Sequence, residues 1–201
     1  MTLFGYDENI RQREGVAHLC GVDEAGRGPL AGPVYAAAVI LPPKLRLESL
    51  NDSKKLTEKK REQLFELIKQ EALAWSIVSA SVQEIEALNI LGAALFAMRR
   101  AVEGLSFTPD FVLVDGDKLP DISPTAQVVP KGDATSACIS AASILAKVAR
   151  DRHMLTLAQE YPAYGFDLHK GYGTKLHYGA LDKHGPCPAH RLRFLEKWRR
   201  K

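Results

Sequence analysis

The apolar residues of this chain occur in short runs of four to eight, separated by longer amphipathic segments, and this pattern most constrains the fold. The runs that we interpret as strands span residues 18–22, 34–41, 74–80, 111–114 and 126–129. Helical spacing of apolar residues predicts helices over 57–71, 90–102 and 134–159, and a capping-box pattern at 81–84 opens a further short helix. Hairpin-length connections early and helical crossovers later predict an α/β protein with a mixed sheet.

Length and composition narrow the class further. A chain of 201 residues predicts a single domain over 1–201. No apolar run approaches the roughly 20 residues that cross a bilayer, so we expect no contact with a membrane. The first 15 residues carry acids and no apolar core, which predicts a protein without a signal peptide that stays in the cytoplasm.

The C-terminal segment 169–201 is strongly basic. It holds nine Lys or Arg against two Asp or Glu, while the whole chain has a net charge of only +3. Aromatic residues are interleaved with these charges, at Tyr172, Tyr178, Phe194 and Trp198. A basic surface with aromatics suits a nucleic-acid backbone, although a solvated helix with an apolar stripe gives the same composition.

Acidic residues follow the predicted strands. Asp23 and Glu24 come directly after the first strand, and Asp115 comes directly after the fourth. Asp133 follows the fifth strand, where we expect it to cap the next helix. Ligands of open α/β sheets bind beyond the carboxyl ends of strands, so these acids converge if the first and fourth strands are neighbours. Each acid alone is more simply explained as a strand-end or capping residue, but the combination favours a site.

Clustered carboxylates repel one another and need a positive partner. Oxygen ligands favour the hard cations Mg²⁺ or Mn²⁺, and zinc is disfavoured because the set contains no His or Cys. Two such ions about 4 Å apart are typical of phosphoryl transfer, in which one activates water and the other stabilises the leaving oxygen.

The loop Gly26-Arg27-Gly28 follows these acids and matches the G-x-G-x-x-A pattern of dinucleotide-binding folds. That interpretation is disfavoured, because carboxylates precede the glycines and a strand rather than a helix follows them. Glycines let a backbone approach a ligand closely, and Arg27 can add charge-assisted hydrogen bonds. We therefore expect a loop that contacts a polynucleotide and can sense a ribose 2′-hydroxyl.

The stretch DEAGRGPLAGPV, residues 23–34, resembles the opening motif of the type 2 ribonuclease H family, ribonuclease HII. Five further segments resemble the family in its order: NDSKKL at 51–56, VDG at 114–116, KGD at 131–133, ASILAKVARD at 142–151 and KGYGT at 170–174. The resemblance covers essentially residues 15–195.

This resemblance implies a ribonuclease H-like fold, with a five-stranded mixed sheet flanked by helices and a small, basic C-terminal helical region at about 169–201. It implies an endonuclease that hydrolyses the RNA strand of RNA–DNA hybrids and cuts 5′ of single ribonucleotides embedded in duplex DNA. The reaction would use two divalent ions, Mg²⁺ or Mn²⁺, and leave 3′-hydroxyl and 5′-phosphate ends. Such an enzyme would remove ribonucleotides and clear primers during replication and repair, and we expect it to be a monomer.

The resemblance also assigns roles to individual residues. The metal-binding, catalytic carboxylates of the family are matched by Asp23, Glu24, Asp115 and Asp133. The loop that reads the ribose at an RNA–DNA junction is matched by Gly26, Arg27 and Gly28. Tyr172 matches a tyrosine that stacks near the junction, and Lys54 matches a lysine near a substrate phosphate.

Two other classes of function stay open at this point. A junction resolvase or integrase core would also use clustered acids and Mg²⁺ but would not need a ribose. A non-catalytic hybrid-binding protein would use the acids only structurally and would need no metal. Contact with a replication clamp or polymerase is also open.

Overall fold

The computed structural model describes residues 1–47, 50 and 56–200. Its strands are β1 Leu19–Ala25, β2 Val34–Ile40, β3 Ala74–Ala80, β4 Phe111–Asp115 and β5 Thr125–Val129. They form a five-stranded sheet in the order β3-β2-β1-β4-β5. The pairs β1–β2 and β2–β3 are antiparallel, whereas β1–β4 and β4–β5 are parallel. The predicted five-stranded mixed sheet is therefore confirmed.

Helices cover both faces of this sheet. They are α1 Leu3–Glu14, α2 Glu58–Glu71, α3 Val82–Glu103, α4 Ala137–Glu160, α5 Phe166–His169, α6 Lys175–His184 and α7 Glu196–Arg199. Helix α3 packs on one face, where Cys20 and Val22 of β1 are buried. Helices α2 and α4 pack on the other face, where Ala37 and Val39 of β2 are buried.

Helix α4 lies unusually close to β1. A Cβ atom added to Gly21 would lie 2.1 Å from the carbonyl carbon of Cys138 and 2.2 Å from the backbone nitrogen of Ile139. A side chain at position 21 would therefore push the helix off the strand. The contact sets the depth at which α4 meets the sheet beside Asp23.

The predicted pair of helices over 81–102 runs together as α3, with a break at Asn89. Ser81 and Glu84 form the predicted capping box at the start of α3. Asn89 has φ 59° and ψ 171°, and its side-chain oxygen accepts hydrogen bonds from the N–H groups of Leu91 and Gly92 at 3.0 and 3.1 Å. Asn89 therefore caps the second half of α3, which gives the two helical segments that the sequence indicates.

Two predicted boundaries were wrong. Strand β1 does not stop before the acids, because Asp23 and Glu24 pair in register with Ala37 and Ala36 of β2. Asp133 does not cap α4 but lies in a 3-10 turn at Gly132–Ala134. The cap is Ser136, whose hydroxyl accepts a hydrogen bond from the N–H of Ile139 at 3.3 Å.

The C-terminal region packs as a small helical layer on α4 and on the loop between β1 and β2. Its core includes Leu30 and Ala31 of that loop, Met154 of α4, and Phe166 and Leu181 of the C-terminal helices. The predicted C-terminal helical region is therefore present, and it lies directly behind the glycine loop. Within the described residues, no helix combines the length and the apolarity needed to cross a membrane.

Candidate active site

Three of the four predicted carboxylates, Asp23, Glu24 and Asp115, converge at the carboxyl ends of β1 and β4. These strands are parallel neighbours with Val22 opposite Val114, so the residues that follow, Asp23 and Asp115, lie side by side. Glu24 is the next residue of β1, and its charge interacts with that of Asp115. The expectation that acids separated by 92 positions come together is confirmed for Asp23, Glu24 and Asp115.

Asp133 approaches from the turn that follows β5. The N–H of Gly132 donates a hydrogen bond of 2.5 Å to Oδ1 of Asp115, which ties this turn to β4. A Cβ atom on Gly132 would lie 2.5 Å from Cδ1 of Ile139, so a side chain there would disturb the contact. Asp133 itself is buried. The structure thus places Asp133 one residue from a direct contact with Asp115.

Burial and neighbouring negative charge raise the pKa of Asp23 and of Glu24. The pKa of Asp23 is held well above its ordinary value, mainly by burial and then by the charges of Glu24 and Asp115. Hydrogen bonds from Ser143 and from the N–H of Glu24 oppose this rise, the latter at 2.7 Å. Burial also raises the pKa of Glu24, Arg27 opposes the rise, and Asp115 adds to it. The site therefore concentrates negative charge that a cation would relieve.

These residues fit a hard divalent cation by their chemistry. The donor set is made only of carboxylate oxygens, which Mg²⁺ and Mn²⁺ prefer, and its mutual repulsion falls when a cation binds. As the side chains stand in residues 1–47, 50 and 56–200, no group of three or more His, Cys, Asp or Glu is arranged to hold a metal ion. The assignment of Asp23, Glu24, Asp115 and Asp133 as ligands is accordingly kept as a proposal.

The glycine loop lies beside the carboxylates. Gly26 has φ 103°, a conformation that favours glycine, and Nη1 of Arg27 is 3.4 Å from Oε1 of Glu24. A Cβ atom on Gly28 would lie 3.6 Å from the ring of Tyr172, whose side chain is half exposed. The loop and Tyr172 thus form one surface next to Glu24. Lys54, the remaining predicted substrate contact, lies outside the described residues.

Two buried arginines beside this loop were missed by the sequence analysis. Arg150 lies in α4 and Arg191 lies in the C-terminal region, and both are almost fully buried. Arg150 falls in a segment that resembles the family, which was its only signal. In the sequence, Arg191 stands out only as one of the positive charges of the basic segment 169–201.

Buried histidines support the backbone of Tyr172. Nδ1 of His177 is 3.0 Å from the carbonyl oxygen of Tyr172, and its Nε2 is 3.0 Å from Nε2 of His190. Nδ1 of His190 accepts a hydrogen bond from the N–H of Cys187 at 3.0 Å. His169 stacks on His177 with 4.4 Å between ring centroids. Nδ1 of His177 therefore donates to Tyr172, and only one of the two facing Nε2 atoms can carry a proton, so the two rings cannot both be charged without breaking this contact.

These histidines predict an acid-sensitive fold. Burial, followed by the neighbouring charge of His177, lowers the pKa of His190 from 6.5 to about 4. Between these values the unfolded chain binds a proton that the folded chain does not, so the free energy of unfolding falls as the pH falls from about 6.5 to about 4. The contribution of His190 over this window is up to about 3 kcal/mol. Urea unfolding at several pH values measures it.

The raised pKa values of Asp23 and Glu24 make the folded protein more stable as the pH falls, which opposes the effect of His190. The prediction is therefore tested by comparing how the free energy of unfolding changes with pH in the wild type and in two variants. The acid loss of stability should be smaller in His190→Asn than in the wild type. It should be unchanged in His184→Asn, because His184 is exposed. Equal pH slopes in all three proteins would contradict the prediction.

Known proteins that are similar to this chain share one family. A family model described as Ribonuclease HII matches residues 20–197. A curated protein named Ribonuclease HII from Idiomarina loihiensis is 58% identical over 176 residues, which cover 88% of this chain and 94% of that protein. The chain belongs to the ribonuclease HII family. A second Ribonuclease HII, from Cupriavidus metallidurans, is 57% identical over 182 residues, or 89% of this chain and 80% of that protein.

The fold of this ribonuclease HII is also similar to a solved structure. The crystal structure of the ribonuclease H2 from Pyrococcus horikoshii superposes with a TM-score of 0.72 at 26% identity, covering 91% of this chain and 99% of that one. The ribonuclease H-like fold is thereby confirmed. As a ribonuclease HII, the protein is a metal-dependent endoribonuclease that acts on the RNA of RNA–DNA hybrids. This decides against the resolvase and the non-catalytic hybrid-binding protein.

Proposed function

We propose that this ribonuclease HII cuts duplex DNA on the 5′ side of a single embedded ribonucleotide, in addition to cutting longer hybrids. One observation carries the proposal. The exposed loop residues Arg27 and Gly28 lie between Glu24 and the ring of Tyr172. A backbone loop in that position can contact one ribose while an aromatic ring stacks on the adjacent sugar, so recognition needs only one ribonucleotide.

The proposed ligands for the divalent ions, Mg²⁺ or Mn²⁺, are Asp23, Glu24, Asp115 and Asp133. Two such ions, when bound, activate water and stabilise the leaving oxygen, which gives 3′-hydroxyl and 5′-phosphate ends. Asp23 and Glu24 are held by β1, while the N–H of Gly132 fixes Oδ1 of Asp115. The rigid strands therefore keep the carboxylates in place while the substrate is positioned.

The loop and the basic region bind the substrate in this proposal. Gly26, Arg27 and Gly28 contact the ribose, and Tyr172 stacks on the deoxyribose side. Lys54 contacts a phosphate, and the basic segment 169–201 attracts the backbone of the flanking duplex, a contact that weakens as salt rises. Ribonucleotide removal and primer clearance in replication and repair follow from this specificity. A cytoplasmic location and a monomeric state stay predictions.

A gel assay tests the proposal. The substrate is an end-labelled DNA duplex with one ribonucleotide, and an all-DNA duplex of the same sequence is its matched control. We expect one cut 5′ of the ribonucleotide with Mg²⁺ or Mn²⁺, no cut with chelator, and no cut in the control. A protein that degrades a long RNA–DNA hybrid but leaves the single ribonucleotide intact would contradict the proposal.

A further inference from the structure

In the part of the chain that the structure describes, every hydrogen bond donated by the Arg191 side chain goes to the loop between β1 and β2, residues 26–33. Its side chain is fully buried, and its guanidinium carries five N–H donors, all of which are used. The acceptors are backbone carbonyl oxygens at 2.7 to 3.2 Å, those of Gly26, Arg27, Pro29, Gly32 and Pro33. One side chain therefore fixes both ends and the middle of the loop.

These hydrogen bonds determine which way the loop presents its N–H groups. A trans peptide points its C=O and the next N–H in opposite directions, and the described residues contain no cis peptide bond. Because the carbonyls of Gly26 and Arg27 point inward to Arg191, the N–H groups of Arg27 and Gly28 point outward. Both of these residues are exposed. Arg191 thus turns two adjacent backbone donors toward the surface beside Tyr172.

Arg150 supports the same loop from beneath. A Cβ atom on Gly26 would lie 2.2 Å from Nε of Arg150, so the guanidinium packs directly against this glycine. Its Nη2 donates to the carbonyl oxygen of Lys170 at 2.8 Å, and its guanidinium carbon is 5.8 Å from the centre of the Tyr172 ring. Arg150 therefore joins the glycine loop to the segment that carries Tyr172.

The burial of Arg150 is costly for the fold. Its Nε and Nη1 are buried without a hydrogen-bond partner in the described part of the chain. A buried charge with incomplete hydrogen bonding destabilises a protein, and an apolar side chain of similar size would avoid that cost. This cost is consistent with a role in positioning the loop rather than in stability.

Backbone hydrogen bonds complete the connection. The N–H of Leu30 donates to the carbonyl oxygen of Gly171 at 2.8 Å, and the N–H of Arg191 donates to the carbonyl oxygen of Leu30 at 2.8 Å. The loop is thus held between the segment that carries Tyr172 and the segment that carries Arg191.

We propose that Arg191 and Arg150 are positioning residues that make this enzyme specific for ribose, although neither contacts the nucleic acid. Arg191 holds the N–H groups of Arg27 and Gly28 toward the substrate, and Arg150 holds Tyr172 beside them. The inference rests on the proposed cleavage at single ribonucleotides. It makes the C-terminal region part of the mechanism of discrimination as well as a surface for the duplex.

The test is Arg191→Lys, which keeps the charge but loses the planar set of five donors. The substrate is a DNA duplex with one ribonucleotide, and an all-DNA duplex of the same sequence serves as a competitive inhibitor. We expect kcat/KM to fall about 100-fold. The inhibition constant of the all-DNA duplex should stay unchanged, while the KM of the ribonucleotide substrate should rise toward it. The ratio of that inhibition constant to KM, which measures the preference for ribose, should therefore fall toward 1.

The matched control is Arg152→Lys, two positions from Arg150 on the exposed side of α4, where Arg152 pairs with Glu62. It should keep the wild-type kcat/KM and ratio. A loss of folded enzyme in Arg191→Lys would lower kcat alone and leave the ratio intact, so the ratio separates positioning from stability. If a folded Arg191→Lys protein keeps the ratio within about twofold of the control, the inference is wrong, whatever its kcat/KM.

Two further outcomes also bear on the inference. If the wild-type protein does not cut the single ribonucleotide, the proposed function fails and the inference fails with it. If circular dichroism shows that Arg191→Lys does not fold, Arg150→Lys decides by the same two quantities. Wild-type values in a folded Arg150→Lys protein would overturn the inference.

Discussion

Replacing Asp115 by Asn is expected to abolish cleavage of an RNA–DNA hybrid while leaving its binding intact. The substitution removes one charge from the proposed metal ligands but keeps the side-chain oxygen that accepts the N–H of Gly132. Loss of several kcal/mol of transition-state stabilisation corresponds to a rate at least about 1,000-fold lower. Initial rates in Mg²⁺ and the dissociation constant in chelator measure the two effects.

The matched control for Asp115→Asn is Asp117→Asn, which makes the same change in charge two residues later, at an exposed position. The control should keep its activity within about twofold, as surface substitutions usually do. Asp115→Asn should also be no less stable than the wild type, because it removes repulsion from Asp23 and Glu24. Near-wild-type turnover in Asp115→Asn would contradict the proposal that Asp115 is a metal ligand. A joint loss of cleavage, binding and stability would indicate a structural role instead.

The strands could be predicted from the sequence because each is a short apolar run between turn residues. Strand β3 was predicted at its observed bounds, Ala74–Ala80, and β2 to within one residue. The order of the strands could not be derived from periodicity, and it is this order that places Asp23 beside Asp115. The sequence pattern of acidic residues after apolar runs therefore identifies Asp23 and Asp115 as candidates, but only the pairing of β1 with β4 brings them together.

The buried arginines could not be predicted in the same way. Arginine is seldom fully buried, so the sequence favours an exposed Arg191 on the basic C-terminal segment, whether that surface meets a nucleic acid or only solvent. Its acceptors are backbone carbonyls some 160 positions earlier in the chain, and backbone groups leave no pattern of residue types.

The N-terminal cap of α4 could not be predicted for a similar reason. Asp133 and Ser136 are both good capping residues, and tertiary contacts decide between them.

Gly21→Ala is expected to lower the free energy of unfolding by at least about 3 kcal/mol, one of the largest effects that a single methyl group can have. The added Cβ would meet backbone atoms of Cys138 and Ile139 at 2.1 to 2.5 Å, and backbone atoms cannot rotate away as a side chain can. Strand β1 and helix α4 would have to separate. Urea unfolding at neutral pH measures the change.

The control for Gly21→Ala is Gly179→Ala, which lies in helix α6, where the added Cβ would have no neighbour within 4 Å beyond the adjacent residues and the helix's own backbone. Alanine is the better helix former, so this variant should gain about 0.5–1 kcal/mol. A loss below about 1 kcal/mol in Gly21→Ala would mean that α4 can move off β1 at little cost. Packing of α4 would then not fix the position of Ser143 beside Asp23. A loss of about 3 kcal/mol or more would instead mean that α4 cannot move off β1, which keeps Ser143 beside Asp23.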